Sequence, residues 1–182
     1  MTSLEEKIID LSKTKLLGLV LGSLAFVGIG LFILSLDSAI IESQRRFNNP
    51  LFVHGIGWLC IVFFGLTGTI GVRKFFDKKP GLIFSSAGVT DNSSGVSAGF
   101  IPWREIASFD VYEIYNQKML IVLVKNPEKY IEIGNAIKRS LNRTNYKMCG
   151  SPIAISSNSL KINFAELLKI CSEYYIKYGK QA

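Results

Sequence analysis

The chain has 182 residues, of which 48% are hydrophobic and 19% are charged, and its formal net charge is +7. No stretch combines dense Lys and Arg with interleaved aromatic residues, and no nucleic-acid-binding motif is present, so a nucleic-acid partner is not expected. The three cysteines, Cys60, Cys149 and Cys171, contain no CxxC pair. They argue against a disulfide framework and fit a reducing compartment.

Residues 1–15 are predicted to form a short cytoplasmic or interfacial segment. Ser3 and Glu6 have the spacing of a capping box, in which the two side chains bond the free backbone N–H groups at a helix start. The apolar residues Ile8 and Ile9 follow. We therefore expect a short interfacial helix that leads into the first apolar run.

Residues 16–36 and 51–72 are the two long apolar runs of the chain, and neither contains Asp, Glu, Lys or Arg. A helix of about 21 residues is about 31 Å long, which matches a hydrocarbon core of about 30 Å. A helix in a soluble core would instead show polar residues at every third or fourth position. We predict two transmembrane helices here, joined by an extracytoplasmic loop at residues 37–50.

A signal peptide is the main alternative for the first run, because basic residues precede it. The run is longer than a typical signal-peptide core of about 7–15 residues, and no convincing A-x-A cleavage site follows it. Even a cleaved first run would leave the second span to deliver the C-terminal domain to the same side. The predicted location of that domain is therefore the same under both interpretations.

The orientation of the spans follows from the Lys and Arg residues near their ends. The loop between the spans contains only Arg45 and Arg46. The outer flanks contain Lys7, Lys13 and Lys15 before the first span, and the topology-setting residues Arg73, Lys74, Lys78 and Lys79 after the second. Cytoplasmic flanks are enriched in these residues, so we expect a multi-pass protein of the inner (plasma) membrane with both termini in the cytoplasm.

Small residues in the spans indicate candidate helix contacts. Gly18 and Gly22 form a GxxxG pair in the first span, and Thr67 and Gly71 have the same spacing in the second. Small residues let helix backbones approach closely in lipid. Packing of the first helix on the second is the favoured interpretation, and homodimerisation through Gly18 and Gly22 is the alternative.

Residues 73–80 are predicted to be a basic linker, and residues 81–182 a cytoplasmic α+β domain. The Pro80-Gly81 pair breaks the helical pattern, and short β-type segments follow. The predicted strands cover residues 82–84, 89–91, 99–101, 106–115, 119–124 and 152–156. The two longest strands surround a short polar break at Asn116-Gln117 and are therefore expected to pair as a hairpin.

Two helices are predicted in the same domain. Asn126-Pro127 has the sequence of a helix start, and that helix could run to Leu141 with an interruption at Gly134. Asn163 and Glu166 form a capping box that opens an amphipathic C-terminal helix.

Several segments of the chain carry a resemblance to known proteins. They are Lys79-Pro80-Gly81-Leu82-Ile83, Asp91-Asn92-Ser93-Ser94, Gly99-Phe100-Ile101-Pro102-Trp103, Lys125-Asn126-Pro127 and Ser156-Ser157-Asn158-Ser159-Leu160. The chain resembles a small family of uncharacterised bacterial inner-membrane proteins with two N-terminal transmembrane helices and a pleckstrin-homology-like cytoplasmic domain. The resemblance implies a transmembrane hairpin followed by a small antiparallel β-barrel or sheet that a C-terminal helix closes. It implies no particular activity.

The sequence offers no catalytic constellation. His54 is the sole histidine and lies in the second span, so Ser-His-Asp and Cys-His nucleophiles and His/Cys zinc sites are not expected in the domain. The carboxylates are scattered, and no phosphate-binding glycine loop follows a strand. We expect a non-enzymatic protein without cofactor or metal. His54 is interpreted as an interfacial hydrogen-bonding residue, and a proton relay is the alternative.

Two motifs of the domain have a structural and a functional interpretation. The segment Asp91-Asn92-Ser93-Ser94-Gly95 fits a β-turn, and the alternative is a ligand-facing loop. Trp103 is expected to pack in the core, and the alternative is a surface residue that contacts lipid or a partner beside Arg104.

Lys138, Arg139, Arg143 and Lys147 form the densest basic cluster of the domain. The cluster is either a solvated helix face or a site for anionic lipid or for the carboxylates of a protein partner. We expect a membrane-anchored binding or scaffold module that uses it. The alternative is an accessory subunit of a membrane protein complex assembled through the transmembrane hairpin. The sequence does not indicate the oligomeric state.

Overall fold

The computed structural model describes residues 5–180. The chain divides into two compact units. One unit consists of residues 13–77 and is entirely helical outside its turns. The other combines the described residues up to 12 with those from 78 onward, and we call it the mixed unit.

The helical unit is built on α1 (Lys13–Leu34) and α3 (Pro50–Phe76), which we call the helix pair. A short helix, α2 (Ser38–Glu42), lies in the connection. The Asn49 side chain caps the start of α3, where Pro50 takes the first helical position. Both predicted apolar helices are therefore present, and α3 continues through Arg73 and Lys74, which are good helix formers.

The two helices of the pair run antiparallel and contact each other at Gly30, Gly57 and Gly71, of which only Gly71 was predicted. A Cβ atom at Gly30 would lie 2.8 Å from the Gly57 carbonyl oxygen, and one at Gly71 would lie 2.7 Å from Leu19 Cδ2. At Gly30 the obstacle is a backbone oxygen, so the close approach of the backbones there depends on glycine. At Gly71 a side chain would require the Leu19 and Val20 side chains to move.

Most large apolar side chains of the helix pair are exposed. Leu24, Phe32, Leu59 and Leu66 all have more than half of their surface accessible. The core helix of a soluble protein would bury such residues. Both helices are long and apolar enough to cross a membrane.

Lys13 connects the start of α1 to the end of α3. Its Nζ donates to the backbone carbonyls of Phe75 (2.5 Å) and Asp77 (2.7 Å), where α3 ends. A cation at the C-terminus of a helix satisfies free carbonyls and complements the helix dipole. The start of α1 is thereby held against the end of α3.

The first sheet of the mixed unit has four antiparallel strands in the order β1-β2-β3-β4. They are β1 (Lys7–Ile9), β2 (Leu82–Phe84), β3 (Gly88–Asp91) and β4 (Gly99–Pro102). The last three match the predicted strands to within one residue.

The predicted N-terminal helix is wrong, because this segment is strand β1. Ile9 pairs with Leu82, and Leu11 makes an isolated bridge to Leu160. Ile9 and Leu11 are buried, so a β-type alternation rather than a helical face directs the apolar side chains into the core. Ser3 of the predicted capping box lies outside the described residues. The predicted domain boundaries, 81–182, therefore leave out β1, although this strand belongs to the same sheet.

The second sheet has the order β5-β6-β7, with β5 (Ile106–Ile114), β6 (Gln117–Val124) and β7 (Ala154–Ser156). β5 and β6 form the predicted hairpin. Its turn lies one residue earlier than expected, at Tyr115 and Asn116, whose φ angles are 46° and 62°. Two successive positive φ angles are typical of the hairpin turns that match strand twist.

Three helices complete the mixed unit: α4 (Pro127–Ile131), α5 (Ala136–Cys149) and α6 (Phe164–Tyr174), the last followed by a π-helical turn, Tyr175–Gly179. The predicted interruption is present at Gly134, whose φ of +91° is accessible mainly to glycine. α5 continues eight residues past the predicted end at Leu141 to Cys149, and Gly150 caps it in the left-handed conformation. The Asn163 side chain caps α6 as predicted.

The core of the mixed unit lies where α6 meets the sheets. Leu167 and Cys171 of α6 are fully buried, as are Leu82, Phe84 and Leu120 of the strands. Tyr174 donates a hydrogen bond to the Glu5 carbonyl, which adds a second contact to the N-terminal strand segment. The prediction of a mixed helix-and-sheet chain with two long apolar helices and antiparallel sheets is confirmed.

Strand β1 provides a test of this arrangement, because its two isoleucines face opposite ways. Ile9 is 3% exposed and Ile8 is 52% exposed. Ile9→Ala should destabilise the mixed unit by about 2–4 kcal/mol, since it removes buried apolar volume. Ile8→Ala is the matched control and should cost less than about 1 kcal/mol. Thermal unfolding of the full chain in detergent measures both, and equal effects would contradict the pairing of β1 with β2.

Candidate functional site

Helix α5 brings three of the four predicted basic residues together. Arg139, Arg143 and Lys147 are spaced by four residues, which places them on one side of a helix, and all three are exposed. We call them the basic row. With Glu132 they line a shallow surface depression of about 540 Å³.

Glu132 is the acidic residue beside the basic row. Its carboxylate accepts a hydrogen bond from Arg143 Nη2 at 2.9 Å and lies 3.8 Å from Arg139 Nη1. Lys147 has no ion pair within residues 5–180. Exposed ion pairs of this kind contribute little free energy, so the row keeps a positive excess that an external anion can compete for.

Lys138 does not belong to the basic row, although it was grouped with it from the sequence. Its Nζ donates to the Ser97 carbonyl at 2.6 Å. Its stem packs so closely over Gly134 that a Cβ there would lie 2.6 Å from Lys138 Cδ. The side chain therefore joins α5 to the loop before β4, and its role is structural.

A second set of exposed side chains on α5 is apolar and lies on a different side of the helix from the basic row, and its exposure was not predicted. Ile137, Leu141 and Met148 are 68%, 45% and 55% exposed. Their helical spacing was visible in the sequence. Such spacing normally indicates the buried face of a helix, so it could not reveal an exposed surface. We call these three residues the apolar row.

The buried side chain of α5 is polar. Asn142 is 3% exposed, and its Nδ2 donates to the Tyr130 carbonyl at 3.0 Å. Its Oδ1 has no hydrogen-bond partner among the described residues. α5 is the reverse of an ordinary surface helix, because it buries an amide and exposes its large apolar residues.

The loop after β3 satisfies its own polar groups. Asp91 is buried, and its Oδ1 accepts from the backbone N–H and the hydroxyl of Ser93 at 2.9 and 2.6 Å. Its Oδ2 accepts from the Ala98 N–H at 2.9 Å. Ser159 donates to the Ser93 carbonyl at 2.6 Å. The carboxylate of Asp91 thus organises a turn, which favours the structural interpretation of this segment.

Trp103 packs in the core, as predicted. The residue is buried, its indole Nε1 donates to the Ser85 carbonyl at 2.9 Å, and its ring contacts Phe109 and Tyr175. The alternative, in which Trp103 is a surface residue beside Arg104, is wrong.

The small-residue pair Gly18 and Gly22 lies away from the contact between α1 and α3. A Cβ atom at either position would meet no atom within 4 Å. The favoured interpretation, packing of the first helix on the second, holds for Gly71, which contacts Leu19, and is wrong for Gly18 and Gly22. Homodimerisation stays a prediction.

His54 and the topology-setting residues lie at the ends of the helical unit or directly after it in the chain. His54 Nε2 is 3.2 Å from the Leu36 carbonyl oxygen, which fits the predicted hydrogen-bonding role. Among the topology-setting residues, Arg73 and Lys74 lie in the last turn of α3, and Lys74 Nζ is 3.5 Å from Asp77. Lys78 and Lys79 are exposed in the linker.

Glu105, whose pKa is lowered, belongs to a hydrogen-bond network in the mixed unit. Lys129 Nζ lies 2.7 Å from both carboxylate oxygens of Glu105, and the buried Tyr130 hydroxyl donates to Glu105 Oε2 at 2.7 Å. The hydrogen bond from Lys129, followed by that from Tyr130, lowers the pKa of Glu105. Burial and the neighbouring carboxylate raise the pKa of Tyr130. These groups fasten α4 to the segment before β5.

The described thiols outside the helix pair are poor nucleophiles. Burial raises the pKa of Cys171 and of Cys149. A thiol that stays protonated at neutral pH is a weak nucleophile and a weak metal ligand. No group of three His, Cys, Asp or Glu side chains in the described part of the chain is arranged to hold a metal ion.

The α5 surface is the best candidate site of the mixed unit, because its exposed apolar and basic rows have no structural explanation. Comparisons of the chain with protein-family models, with curated proteins and with solved structures found no match. The functional argument therefore depends on the geometry of this surface.

The Glu105 network predicts a pH dependence of stability. A carboxyl group whose folded pKa is lowered contributes stability above its ordinary pKa of about 4.5, and this is lost as the pH falls through the folded value. Glu105→Gln should lower the melting temperature at pH 7, and the difference from the unmodified chain should shrink as the pH falls from 5 towards 3.

The control for this prediction is Glu113→Gln, which removes an exposed carboxylate 3.6 Å from Lys118 Nζ. This variant should change the melting temperature little at any pH, since exposed ion pairs contribute little. A melting-temperature difference for Glu105→Gln that does not vary with pH would contradict the proposed linkage.

Proposed function

We propose that the chain is a membrane-anchored, non-enzymatic binding module whose mixed unit docks through α5 onto anionic lipid headgroups. The observation that carries this proposal is the surface of α5. The helix exposes the apolar row on one side and the basic row on another, and the side chain that it buries is that of Asn142.

Anchoring by the helix pair is supported by its length and exposure. A hydrocarbon core solvates exposed Leu, Phe and Ile side chains favourably, whereas their exposure to water costs free energy. α1 and α3 also satisfy their backbone hydrogen bonds internally, as any lipid-spanning segment must. We infer that the helix pair is a transmembrane hairpin.

The pairing of β1 with β2 supports a hairpin whose two ends emerge on one side of the membrane. β1 precedes α1 and β2 follows α3, and strands in one sheet must share one compartment. The Lys and Arg residues that flank the helix pair favour the cytoplasm for that compartment. We infer an inner-membrane protein with cytoplasmic termini.

The chemistry of α5 fits a bilayer surface better than solvent. Helices that lie in a membrane interface combine apolar residues, which enter the headgroup boundary, with Lys and Arg, which meet anionic lipids. Each basic residue near an anionic surface contributes about 1 kcal/mol. The covalent anchor raises the effective lipid concentration, so weak individual contacts are sufficient for occupancy.

The sheet arrangement supports a pleckstrin-homology-like fold for the mixed unit. Sheets of four and three antiparallel strands precede a C-terminal helix whose Leu167 and Cys171 enter the core. Two features depart from the expected pattern. Strand β1 precedes the helix pair in the sequence, whereas the other strands follow it. Helices α4 and α5 lie between β6 and β7.

The test is a fluorescent probe at position 141 of the full chain in liposomes. Leu141→Cys is labelled with an environment-sensitive dye after Cys60→Ala and Cys149→Ser, while Cys171 stays unlabelled because it is buried. In liposomes that contain phosphatidylglycerol the dye emission should shift to shorter wavelength, and lipids with a brominated chain should quench it. In pure phosphatidylcholine both effects should be weaker.

Charge removal completes this experiment. Replacing Arg139, Arg143 and Lys147 by Gln should abolish the shift. The matched control replaces Lys118, Lys125 and Lys169 by Gln, which removes the same charge from other exposed positions, and should leave the shift intact. A dye that reports water in every lipid mixture would contradict docking on lipid and favour a protein partner.

An accessory-subunit role is the second candidate, and the exposed positions of Gly18 and Gly22 favour it. Both glycines lie on the outer face of α1 with no neighbour within 4 Å, so another helix can approach them closely. Replacing both by Leu should disperse an assembly that co-purifies with the chain. Leu at Gly55 of α3, which is equally open, is the control. Identical assembly sizes before and after the Gly18 and Gly22 changes would remove this candidate.

A further inference from the structure

The helix pair carries an open groove along one side. The groove has a volume of about 450 Å³, within the range of ligand-binding pockets. α1 contributes Val20, Ser23 and Val27 to its walls, and α3 contributes Gly65 and Gly68. A Cβ at Gly65 would meet no atom within 4 Å, so the helices leave this space unfilled.

The surface of the groove is apolar although two hydroxyl groups line it. Ser23 Oγ donates to the Leu19 carbonyl at 2.9 Å, and Thr69 Oγ1 donates to the Gly65 carbonyl at 2.8 Å. Both hydroxyls are therefore used within their own helices. An occupant meets methyl and methylene groups, which suits a hydrocarbon chain.

The groove is as long as one leaflet and ends at a cation. At about 1.5 Å per residue, the lining segment from Phe64 to Arg73 rises about 14 Å. This is close to half of a hydrocarbon core of about 30 Å. Arg73 lines one end of the groove, is exposed, and has no ion pair in the described part of the chain.

We propose that the groove binds one anionic phospholipid, with an acyl chain along Gly65 and Gly68 and the phosphate on Arg73. A guanidinium binds a phosphate through two parallel hydrogen bonds, so Arg73 supplies both the positive charge and the orientation of the bound headgroup. This proposal rests on the proposed function only in placing the helix pair in a membrane, and it does not involve α5. A third helix is the competing occupant, but an apolar helix has no group that would use the guanidinium.

The test counts the lipids that remain on the full chain. The protein is reconstituted in equal amounts of phosphatidylglycerol and phosphatidylcholine with identical acyl chains, extracted in mild detergent and examined by native mass spectrometry. We expect one retained phosphatidylglycerol per chain, enriched about tenfold over phosphatidylcholine, which corresponds to about 1.4 kcal/mol of preference.

Two pairs of variants separate the groove from the cation. Gly65→Phe fills the groove and should reduce retained lipid about tenfold, whereas Gly55→Phe, at an equally open site of the same helix, should not. Arg73→Gln should bring the ratio of phosphatidylglycerol to phosphatidylcholine close to one. Lys78→Gln removes a nearby exposed cation and should preserve the enrichment.

Three results would overturn the lipid site alone. Equal retention of the two lipids by the unmodified chain would remove the role of Arg73. Unchanged retention in Gly65→Phe would remove the groove. A change from oligomer to monomer in Gly65→Phe, with retained lipid unaltered, would assign the groove to a helix of a second copy. Release of the chain from membranes by carbonate would overturn the proposed anchoring together with this site, whereas the first three results leave the anchoring intact.

Discussion

The antiparallel pairing of β1 with β2 is the constraint on which the rest of the structure depends. It joins the segment before α1 to the segment after α3, so the mixed unit can be completed only when both ends of the helix pair have been brought together. Within the helical unit, the hydrogen bonds from the Lys13 ammonium to the last carbonyls of α3 likewise hold the start of α1 at the end of α3. Because β1 adds long-range contacts, folding of the mixed unit must wait for residues far apart in sequence.

The same constraint explains why the N-terminal segment carries buried residues. Ile9 and Leu11 fill the core beside Leu82 and Leu160, and Asp10 forms an exposed ion pair with Lys161 at 3.1 Å. An interfacial helix at this position would leave β2 as an open edge, with unpaired N–H and C=O groups that attract other chains. Strand β1 therefore pairs with β2 on the side away from β3 and becomes the outer strand of the sheet.

Helix α5 has a different relation to the rest of the mixed unit. Its attachment depends on polar contacts, namely the amide of Asn142 on the Tyr130 carbonyl and the ammonium of Lys138 on the Ser97 carbonyl. Its exposed Ile137 and Met148 side chains gain nothing from this attachment, and water solvates them poorly. A surface that removes the apolar row from water, and anions that meet the basic row on the other side of the exposed face, each lower the free energy. The helix pair shows the same division, since its glycines at 30, 57 and 71 make the contact while its large side chains face outward.

The sequence by itself determined the elements whose signals are local. The two apolar runs, the strands at 82–84 and 119–124, the break at Gly134 and the cap at Asn163 follow from hydrophobic length, β-type composition and backbone chemistry, none of which needs a partner distant in the chain. Tertiary structure decided what depends on which faces meet. It paired residues 7–9 with 82–84, directed Lys138 away from Arg139, and turned the apolar row of α5 outward. A helical spacing of Ile and Leu reports that a face is apolar, and only the neighbouring elements determine whether that face is covered.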